Sequence, residues 1–432
     1  MAEAKDDCFV LDKDRISHAE ALAILKSRVR SVVGVEDVPV AAANGRILAA
    51  SILAPRAIPA HDNSAVDGYA FQHASYDPGK GSRLAVAGVA SAGHPFEGDL
   101  PPGVAIRIFT GAVMPSGLDS VAMQEDVGTE RDGSNLAATL PPGLKQGANR
   151  RLAGEDSGEG DVLIEGGTRL RPQEVATAAA AGLEWVSCYR PLTVAVASTG
   201  DEILRPGETF ALGKVYDANA AMLAGLIKAT GARAVDLGVL PDTYDRVRLA
   251  LSEASEKYDV VVLSGGASQG AEDHVVHAID ALGKRHLWQI AIKPGRPMSF
   301  GQIGNCVVLG LPGNPVAVFV CFLIYVRPVL IRLGGGMWPE PRRFPLRASF
   351  AQKKKVGRRE FWRARLEQRD GLLQVNKFAR DGSGLISSLR QADGLVEVTE
   401  QVEDVQIGDF VDFIPFSEMD LLSRLDVTKK VN

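Results

Sequence analysis

Cysteine is scarce in this chain of 432 residues, and the four that occur form no CxxC pair. Their wide separation excludes a disulfide-stapled scaffold and is typical of a protein from a reducing cytosol. Three of them sit in apolar surroundings that predict packed thiols. The cysteines are Cys8, Cys188, Cys306 and Cys321.

Long apolar segments are also lacking. The longest uninterrupted apolar run, Val316 to Val326, is shorter than a bilayer span and ends at Arg327 and Pro328, so it predicts a buried helix. The amino terminus is acidic and has no apolar core of the signal-peptide kind. These features predict a cytoplasmic protein that does not enter a membrane.

Several cofactor signatures are missing. The chain has no GxxxxGK[ST] loop and no GxGxxG fingerprint, and its seven histidines form no zinc-binding spacing. Gly266 to Gly270 matches the GxSxG elbow of hydrolases, but the preceding Ser264 and the acidic end of the loop fit a binding loop better. The formal net charge of −5 argues against a general nucleic-acid binder, which usually shows a basic face.

What is present is a globular composition, with 46% apolar and 23% charged residues, in a chain long enough for two to four domains. Strands and helices alternate from about 186 to 335, which predicts a central doubly wound, mostly parallel sheet. Short strands separated by glycine and proline predict a small β domain before it and a β-barrel-like domain after it. The predicted domains are an extended N-terminal region of 1–54 with 154–185, a β domain of 55–153, an α/β domain of 186–335 and a C-terminal β domain of 340–420.

Local patterns predict individual elements. The apolar spacing of residues 16–30 predicts an amphipathic helix with Ser17 as its cap. A second helix is predicted over Asn44 to Ala54. Within the α/β region, Leu287 to Ile292 is predicted to be one strand, and a final helix is predicted over Pro315 to Leu333.

Charged and glycine-containing loops follow the predicted strands of the α/β region, and loops at the carboxyl ends of such strands share one crevice. After the first strand, Gly200 permits close backbone approach, and the carboxylates of Asp201 and Glu202 suit a divalent cation. The loop that starts at Ser264 resembles an anion nest. Its acidic end at Asp273 would repel a phosphate unless a metal lay between them.

Three further loops contain residues that have either a structural or a functional explanation. Asp242 follows another strand and is either a helix cap or a ligand contact, and the two roles are compatible. Lys293 and Arg296 lie on a proline-stiffened loop, which favours a bound anion. Asn314 and Pro315 are explained as the cap and first residue of the final helix, to which an anion contact would be an addition.

The small β domain carries a second group of polar residues. Asp67 follows apolar residues and has little local backbone to satisfy, which favours a functional carboxylate. Ser64 is equally well explained as a turn residue. Thr110 lies beside a glycine at a strand end, and the charged run that includes Arg151 and Asp156 is explained by solvation as well as by anion binding.

The ordered series DNSAVDGYA, RIFTGA, GED, STGDE, VYDAN, SGG, AIKPGRP and LPGNP closely resembles the molybdopterin molybdenumtransferase family, which includes the bacterial MoeA proteins and the gephyrin E domain. The resemblance runs from about residue 15 to 415. It implies four domains and a homodimer whose active sites form between subunits. It also implies insertion of molybdate into adenylylated molybdopterin with release of AMP, assisted by Mg²⁺, as the final step of molybdenum cofactor synthesis.

The resemblance implies transient contact with other cofactor-synthesis proteins. It also implies roles for individual residues of this chain. One departure is Gln289, which follows Trp288 where family members often carry lysine or arginine. The implied catalytic residues are Asp67, Thr110, Glu202, Asp242, Asp273 and Lys293, of which Glu202, Asp242 and Asp273 would hold the metal; the implied substrate-binding residues are Ser64, Arg151, Asp156, Gly200, Asp201, Ser264, Gly265, Gly266, Ser268, Arg296, Pro312, Gly313, Asn314, Pro315, Arg363 and Ser383.

Two other functions remain open from the sequence. Stand-alone relatives of residues 186–335 adenylylate molybdopterin, although they lack the β domains and the DNSAVDGYA loop. A non-catalytic scaffold is the second alternative, because gephyrin also clusters receptors through this domain. Nothing in the chain resembles the additional linker and partner domain of such a scaffold.

Overall fold

The computed structural model describes residues 15–133, 135–265, 274–369, 371–380 and 382–422. Helix α1 (His18–Arg28) opens the described chain, and the predicted Ser17 cap is confirmed. The Ser17 hydroxyl accepts a hydrogen bond from the Glu20 N–H, and the Glu20 carboxylate accepts one from the Ser17 N–H. This reciprocal arrangement satisfies two N–H groups that a helix start otherwise leaves without partners.

Strands β1 (Val35–Pro39) and β2 (Ile52–Leu53) follow α1. The helix predicted over Asn44 to Ala54 is wrong, because this segment pairs with distant backbone instead. The Leu48 N–H donates to the Thr168 carbonyl at 2.9 Å, and the Ala49 N–H donates to the Ser187 carbonyl at 2.8 Å. Tertiary pairing of this kind overrides a weak local helix preference.

The small β domain is a six-stranded sheet in the order β7-β4-β6-β5-β9-β8. Separate apolar clusters cover its two faces. A short antiparallel pair, β3 with β10, lies outside the sheet and holds the DNSAVDGYA loop. The strands are β3 (Asn63–Ser64), β4 (Gly68–Phe71), β5 (Ser82–Ala90), β6 (Val104–Ile108), β7 (Ser120–Met123), β8 (Gly128–Asp132), β9 (Asn135–Leu140) and β10 (Arg150–Arg151).

After the β domain the chain returns to its first segment through β11 (Val162–Ile164), helix α2 (Pro172–Ala180) and β12 (Trp185–Tyr189). Strand β11 pairs with β2, and β12 pairs with β1, both antiparallel. The N-terminal region is therefore assembled from residues on both sides of the β domain.

The α/β region contains a six-stranded sheet in the order β16-β13-β17-β21-β20-β18. The first four strands are parallel, and only β20 runs antiparallel to its two neighbours, β21 and β18. Helices pack on both faces, so the predicted doubly wound, mostly parallel sheet is confirmed. The elements are β13 (Thr193–Thr199), β14 (Ile203–Leu204), β15 (Val215–Tyr216), α3 (Ala218–Ala229), β16 (Arg233–Leu240), α4 (Tyr244–Lys257), β17 (Val260–Ser264), α5 (His274–Leu282), β18 (Lys284–Trp288), β19 (Ile292–Lys293), β20 (Ser299–Ile303), β21 (Cys306–Leu311), α6 (Pro315–Cys321) and α7 (Arg327–Leu333).

One predicted strand of this region is wrong, and the predicted final helix is confirmed. The single strand predicted over Leu287 to Ile292 is wrong, because Gln289 adopts a left-handed backbone (φ 60°) that ends β18 and redirects the chain into β19. The final helix runs from Pro315 to Leu333, with a π-helical stretch between α6 and α7. Within the described ranges it is the one helix long and apolar enough to cross a bilayer, yet 83% of its most apolar window is buried inside the protein. It is a core helix, as predicted.

The C-terminal domain is a closed five-stranded barrel in which β24, β25, β22, β28 and β26 pair in turn and β26 returns to β24. Strand β19 of the α/β region adds to β24 in parallel and joins the two domains. The elements are β22 (Phe344–Ala348), β23 (Gln352–Lys353), β24 (Arg359–Arg369), β25 (Leu372–Lys377), α8 (Ile386–Gln391), β26 (Gly394–Val398), β27 (Asp404–Val405) and β28 (Phe410–Pro415).

Candidate functional site

The carboxyl ends of four parallel strands meet at one edge of the α/β sheet. Thr199 of β13 is in register with Leu240 of β16. Ser264 of β17 is in register with Ser198 on one side and with Leu311 on the other. The loops that follow these strands therefore line a single crevice, which is where open α/β sheets bind ligands.

Glycines bring the loops of this crevice together backbone to backbone. Gly265 has a φ of +95°, and its N–H donates to the Leu311 carbonyl at 3.2 Å. A Cβ at Gly265 would lie 2.3 Å from the Thr199 carbonyl oxygen, so no other residue fits without a backbone shift. A Cβ at Gly313 would lie 3.9 Å from the Gly265 Cα. This part of the crevice is thus lined by backbone, which suits close approach of a phosphate.

Three of the predicted carboxylates lie along the same edge. The Asp242 N–H donates to Asp201 Oδ1 at 3.4 Å, which places the two loops side by side. The Glu202 carboxylate lies over Gly200, because a Cβ built on that glycine would be 2.6 Å from Glu202 Oε2. Asp242 Oδ1 is buried and has no hydrogen-bond partner within the described ranges.

The predicted metal set is only partly described. Asp273, Gly266 and Ser268 lie outside the described residues, so their predicted roles stay predictions. In the described parts of the chain, no group of three or more His, Cys, Asp or Glu side chains is arranged to hold a metal ion. The carboxylates of Asp201, Glu202 and Asp242 remain as oxygen donors.

Buried polar atoms without partners concentrate at this crevice. They include Ser198 Oγ and Thr199 Oγ1 at the end of β13, together with Asn219 Oδ1 in the first turn of α3. Leaving a buried polar group without a hydrogen bond costs about 1–3 kcal/mol. The concentration of such atoms at one edge indicates a place where a ligand or water completes the hydrogen bonds.

Asn219 is a crevice residue that the sequence did not single out. Its amide nitrogen donates to Ser264 Oγ and to the Gly313 carbonyl, both at 2.7 Å. It follows Asp217, whose side chain caps α3 by accepting from the Ala220 N–H. The sequence signal for this residue was the tripeptide from Asp217 to Asn219, which places a side-chain amide two residues after the N-cap of α3.

The Lys293 loop is fixed by packing against two neighbouring elements. Lys293 is in register with Glu360 of the barrel strand β24. Gly295 lies against the final helix so closely that a Cβ there would be 2.2 Å from Cys321 Sγ. The Arg296 carbonyl accepts from the Ile290 N–H at 3.0 Å. Both predicted cations therefore lie on a loop whose path has little freedom.

The barrel also reaches the start of the final helix. Asn314 occupies the N-cap position of α6 with extended backbone, but its side chain makes no capping hydrogen bond, and Pro315 is the first helical residue, after Pro312 and Gly313. The Val316 N–H donates to the Ser383 carbonyl at 3.0 Å, which brings Ser383 next to this loop. Arg363 is buried on β24 and donates to the Arg380 carbonyl at 3.1 Å.

The β domain holds a separate polar group. Asp67 Oδ1 accepts from the Thr110 N–H at 2.8 Å and from the Thr110 hydroxyl at 2.7 Å. These hydrogen bonds lower the pKa of the Asp67 carboxyl, with a smaller contribution from the charge of Arg107. The Arg107 guanidinium, which the sequence did not suggest, stacks on the rings of Tyr69 and Phe109 at 4.9 and 5.1 Å.

Of the other predicted residues, Ser64 and Arg151 lie on the paired strands β3 and β10, and Asp156 follows β10, outside the predicted β domain. Ser64 is fully buried, and its hydroxyl donates to the Val66 carbonyl at 2.6 Å, so it shapes the loop that presents Asp67. Arg151 pairs with Asn63 between β10 and β3 and is exposed, as is Asp156. Within the described ranges, no hydrogen bond or ion pair joins Asp67 or Thr110 to the crevice.

An α/β sheet with a glycine-lined crevice, preceded by a β domain and followed by a closed barrel, defines a multidomain α/β protein whose crevice suits a phosphorylated ligand. Three family models match in sequence: the "MoeA N-terminal region (domain I and II)" over residues 16–182, the "Probable molybdopterin binding domain" over 195–332 and the "MoeA C-terminal region (domain IV)" over 345–416. Together they span nearly all of the chain that the structure describes.

Individual relatives agree with these matches. The chain is 37% identical over 379 residues to a molybdopterin molybdenumtransferase from Haemophilus influenzae, which covers 87% of this chain and 93% of that protein. A molybdopterin molybdenumtransferase from Nostoc is 37% identical and covers 69% of this chain and 70% of that protein. A crystal structure of the molybdopterin biosynthesis moeA protein from Pyrococcus horikoshii OT3 is 28% identical, with a TM-score of 0.79 over 93% of this chain and 100% of that one. The chain belongs to the molybdopterin molybdenumtransferase (MoeA) family.

Proposed function

We propose that this protein inserts molybdate into adenylylated molybdopterin and releases AMP, as the final step of molybdenum cofactor synthesis. The observation that carries the proposal is the crevice at the carboxyl edge of the sheet, where glycine backbone lies beside buried polar atoms that have no partner among the described residues. The Lys293 loop packs on the final helix, which begins at the same edge. Names of the relatives support the same assignment. The adenylylation of molybdopterin is not favoured, because matched MoeA regions flank the α/β region on both sides.

The charges of the site suit this reaction. Molybdate is an oxyanion that must approach a charged pyrophosphate, and Lys293 and Arg296 would offset their repulsion. Arg363 and Ser383 of the barrel would complete the anion site from the other side of the α6 start. The dithiolene sulfurs of the pterin are soft ligands for molybdenum, so the protein itself needs few metal ligands.

Mg²⁺ fits the donors that are present. Carboxylate oxygens are the ligands that Mg²⁺ prefers, and it is usually held by one or two carboxylates plus substrate phosphates and water. Asp201, Glu202 and Asp242 offer such oxygens at neighbouring strand ends, and Asp242 Oδ1 has no partner of its own. When bound, Mg²⁺ would polarise the phosphoanhydride that breaks. Asp273 is proposed as a further ligand.

Asp67 and Thr110 would act on the bound nucleotide from the β domain. Because two donors from Thr110 hold the pKa of Asp67 low, this carboxylate is a weak base at neutral pH. We therefore assign Asp67 the positioning of a water or cation through its charge, and we assign Thr110 the orientation of Asp67.

We propose a homodimer whose active sites lie between subunits, where the crevice of the α/β region meets the Asp67 and Thr110 pair of the β domain. This arrangement would bring Asp67 of one subunit to the crevice of its partner. The cytoplasm is the proposed location, in keeping with three buried free cysteines among the described residues, and transient contact with other cofactor-synthesis proteins is proposed for product transfer.

The test uses the purified full chain with adenylylated molybdopterin, Mg²⁺ and graded molybdate. AMP release that depends on molybdate is the expected result. A parallel reaction with molybdopterin and Mg·ATP should give no adenylylated product, and its appearance would favour the adenylyltransferase instead. Binding of adenylylated molybdopterin without AMP release would favour the non-catalytic scaffold.

A further inference from the structure

Asn219 is buried at the carboxyl edge of the α/β sheet, with 8% of its surface exposed. One amide nitrogen serves two loops that belong to different strands. It donates to Ser264 at the end of β17 and to Gly313 after β21, with both distances 2.7 Å. The side chain therefore ties together two loops that the sheet itself joins only through the strands beneath them.

The two loops that Asn219 joins are those in which glycine backbone, and not side chains, lines the crevice. Gly265 follows Ser264 directly, and a Cβ on Gly313 would lie 3.9 Å from the Gly265 Cα. At this distance the two glycine backbones pack against each other and form one continuous backbone surface in the crevice. A side chain that holds both loops fixes the surface against which a phosphate would lie.

Among the residues that the structure describes, the carbonyl oxygen of the same side chain has no hydrogen-bond partner. Asn219 Oδ1 is buried and unbonded, and Ser198 Oγ, whose residue is in register with Ser264, is in the same state. The residue thus uses both N–H groups on the protein and leaves one acceptor in the crevice. That division fits a residue that holds the loops on one side and meets a ligand on the other.

We propose that Asn219 is a positioning residue for the nucleotide part of the substrate: its amide N–H groups hold the Ser264 and Gly313 loops at the spacing that binds the phosphate, and its carbonyl oxygen accepts a hydrogen bond from the bound ligand. This inference rests on the proposed function, since it names the residue that shapes that same crevice.

AMP is the probe, titrated into the full-length Asn219→Ala variant by calorimetry. Loss of two hydrogen bonds to the loops and of the free acceptor should raise the Kd for AMP about tenfold or more. The KM for adenylylated molybdopterin should rise similarly, with a smaller change in kcat, because the residue does not touch the reacting atoms.

The matched control is Thr193→Val. The Thr193 hydroxyl donates to Asp259 Oδ2 at 2.6 Å and joins the starts of β13 and β17 at the opposite edge of the sheet. Both variants lose side-chain hydrogen bonds between neighbouring strand ends and should lower the Tm. Only Asn219→Ala should weaken AMP binding. Equal loss of AMP affinity in both variants would reduce Asn219 to a structural residue and overturn the proposal.

A double-mutant cycle guards against a variant that is merely unstable. Ser264→Ala should weaken AMP binding less than Asn219→Ala, and in the Asn219→Ala background it should add little, because the contact it removes is already gone. Fully additive effects would contradict a shared role. If the wild type itself neither binds AMP nor releases it, the proposed function fails; if the wild type binds AMP and Asn219→Ala binds it equally well, only the inference fails.

Discussion

The two polar groups of this protein differ in how complete they are. In the β domain, the Asp67 carboxylate has its donors supplied by Thr110 and its charge already stabilised. In the α/β crevice, buried oxygens of Ser198, Thr199 and Asn219 have no partners among the residues that the structure describes. The hydrogen bonds of the first group are therefore complete within the described chain, and those of the second are not.

This difference indicates different roles for the two groups. A carboxylate with a lowered pKa presents a fixed negative charge and needs no ligand to hold it in place. A crevice with unsatisfied buried groups is less stable when empty and gains hydrogen bonds when filled. In the proposed reaction we therefore expect the crevice to bind the substrate and the β domain to contribute a preorganised charge.

The strongest test of this division is Asp67→Asn. Asparagine keeps the size of the side chain but removes the charge, so AMP binding to the crevice should be unchanged. The kcat for molybdate-dependent AMP release should fall about 100-fold, the scale of removing one preorganised electrostatic contact. Stopped assays of AMP formation measure it, and undiminished AMP release would remove Asp67 from the reaction.

Complementation between two inactive variants tests whether the groups meet across subunits. Asp67→Asn and Lys293→Met affect different domains. If each active site uses Asp67 from one chain and Lys293 from its partner, a mixed dimer has one intact site. Coexpression should then restore about a quarter of wild-type activity, since about half of the dimers are mixed.

An active site formed within a single chain predicts a different result. If Asp67 and Lys293 of the same chain share a site, no mixed dimer contains an intact one. Activity would then remain at the level of the separate variants, and the intersubunit proposal would be wrong. Purification through two different affinity tags isolates the mixed dimer and fixes the ratio of the two chains.

A smaller effect is expected from filling the crevice. Gly265→Ala places a Cβ 2.3 Å from the Thr199 carbonyl at a φ of +95°, so it should lower the free energy of unfolding by about 1–3 kcal/mol and weaken AMP binding. Gly207→Ala is the matched control, because Gly207 has a φ of +99° and a Cβ added there would meet nothing within 4 Å. Chemical denaturation and AMP titration should separate the two variants, and equal AMP affinities would contradict a crevice at Gly265.

The sequence predicted the α/β sheet because buried parallel strands are nearly continuous apolar runs. Val260–Ser264 is such a run, and the final helix predicted over Pro315 to Leu333 has those bounds in the structure. The edge at which the loops meet followed from strand direction alone. These features depend on local pattern and general topology, which is why they could be predicted.

Features that depend on distant pairing could not be predicted. The segment from Asn44 to Ala54 has a helical composition, but several of its N–H groups, such as those of Leu48 and Ala49, pair with residues more than 100 positions away. The role of Asn219 required knowing that the ends of β17 and β21 are neighbours. Gln289 proved to be a buried turn residue with positive φ, so the lysine or arginine common there in the family would occupy a buried position in this chain.

The smallest expected effect comes from Thr110→Val, which removes the hydroxyl donor to Asp67 and keeps the backbone donor. The pKa of Asp67 should rise toward its ordinary value, because part of what stabilised the carboxylate is gone. Asp67 is ionised above its pKa, so activity at pH 7 should change little, and the fall in activity on acidification should begin at a higher pH than in the wild type. Thr110→Ser retains the hydroxyl and should keep the wild-type acid limb. Carbon-13 NMR of the Asp67 carboxyl, followed with pH, measures the shift directly, and an unchanged titration in Thr110→Val would mean that the Thr110 hydroxyl does not set the charge of this group.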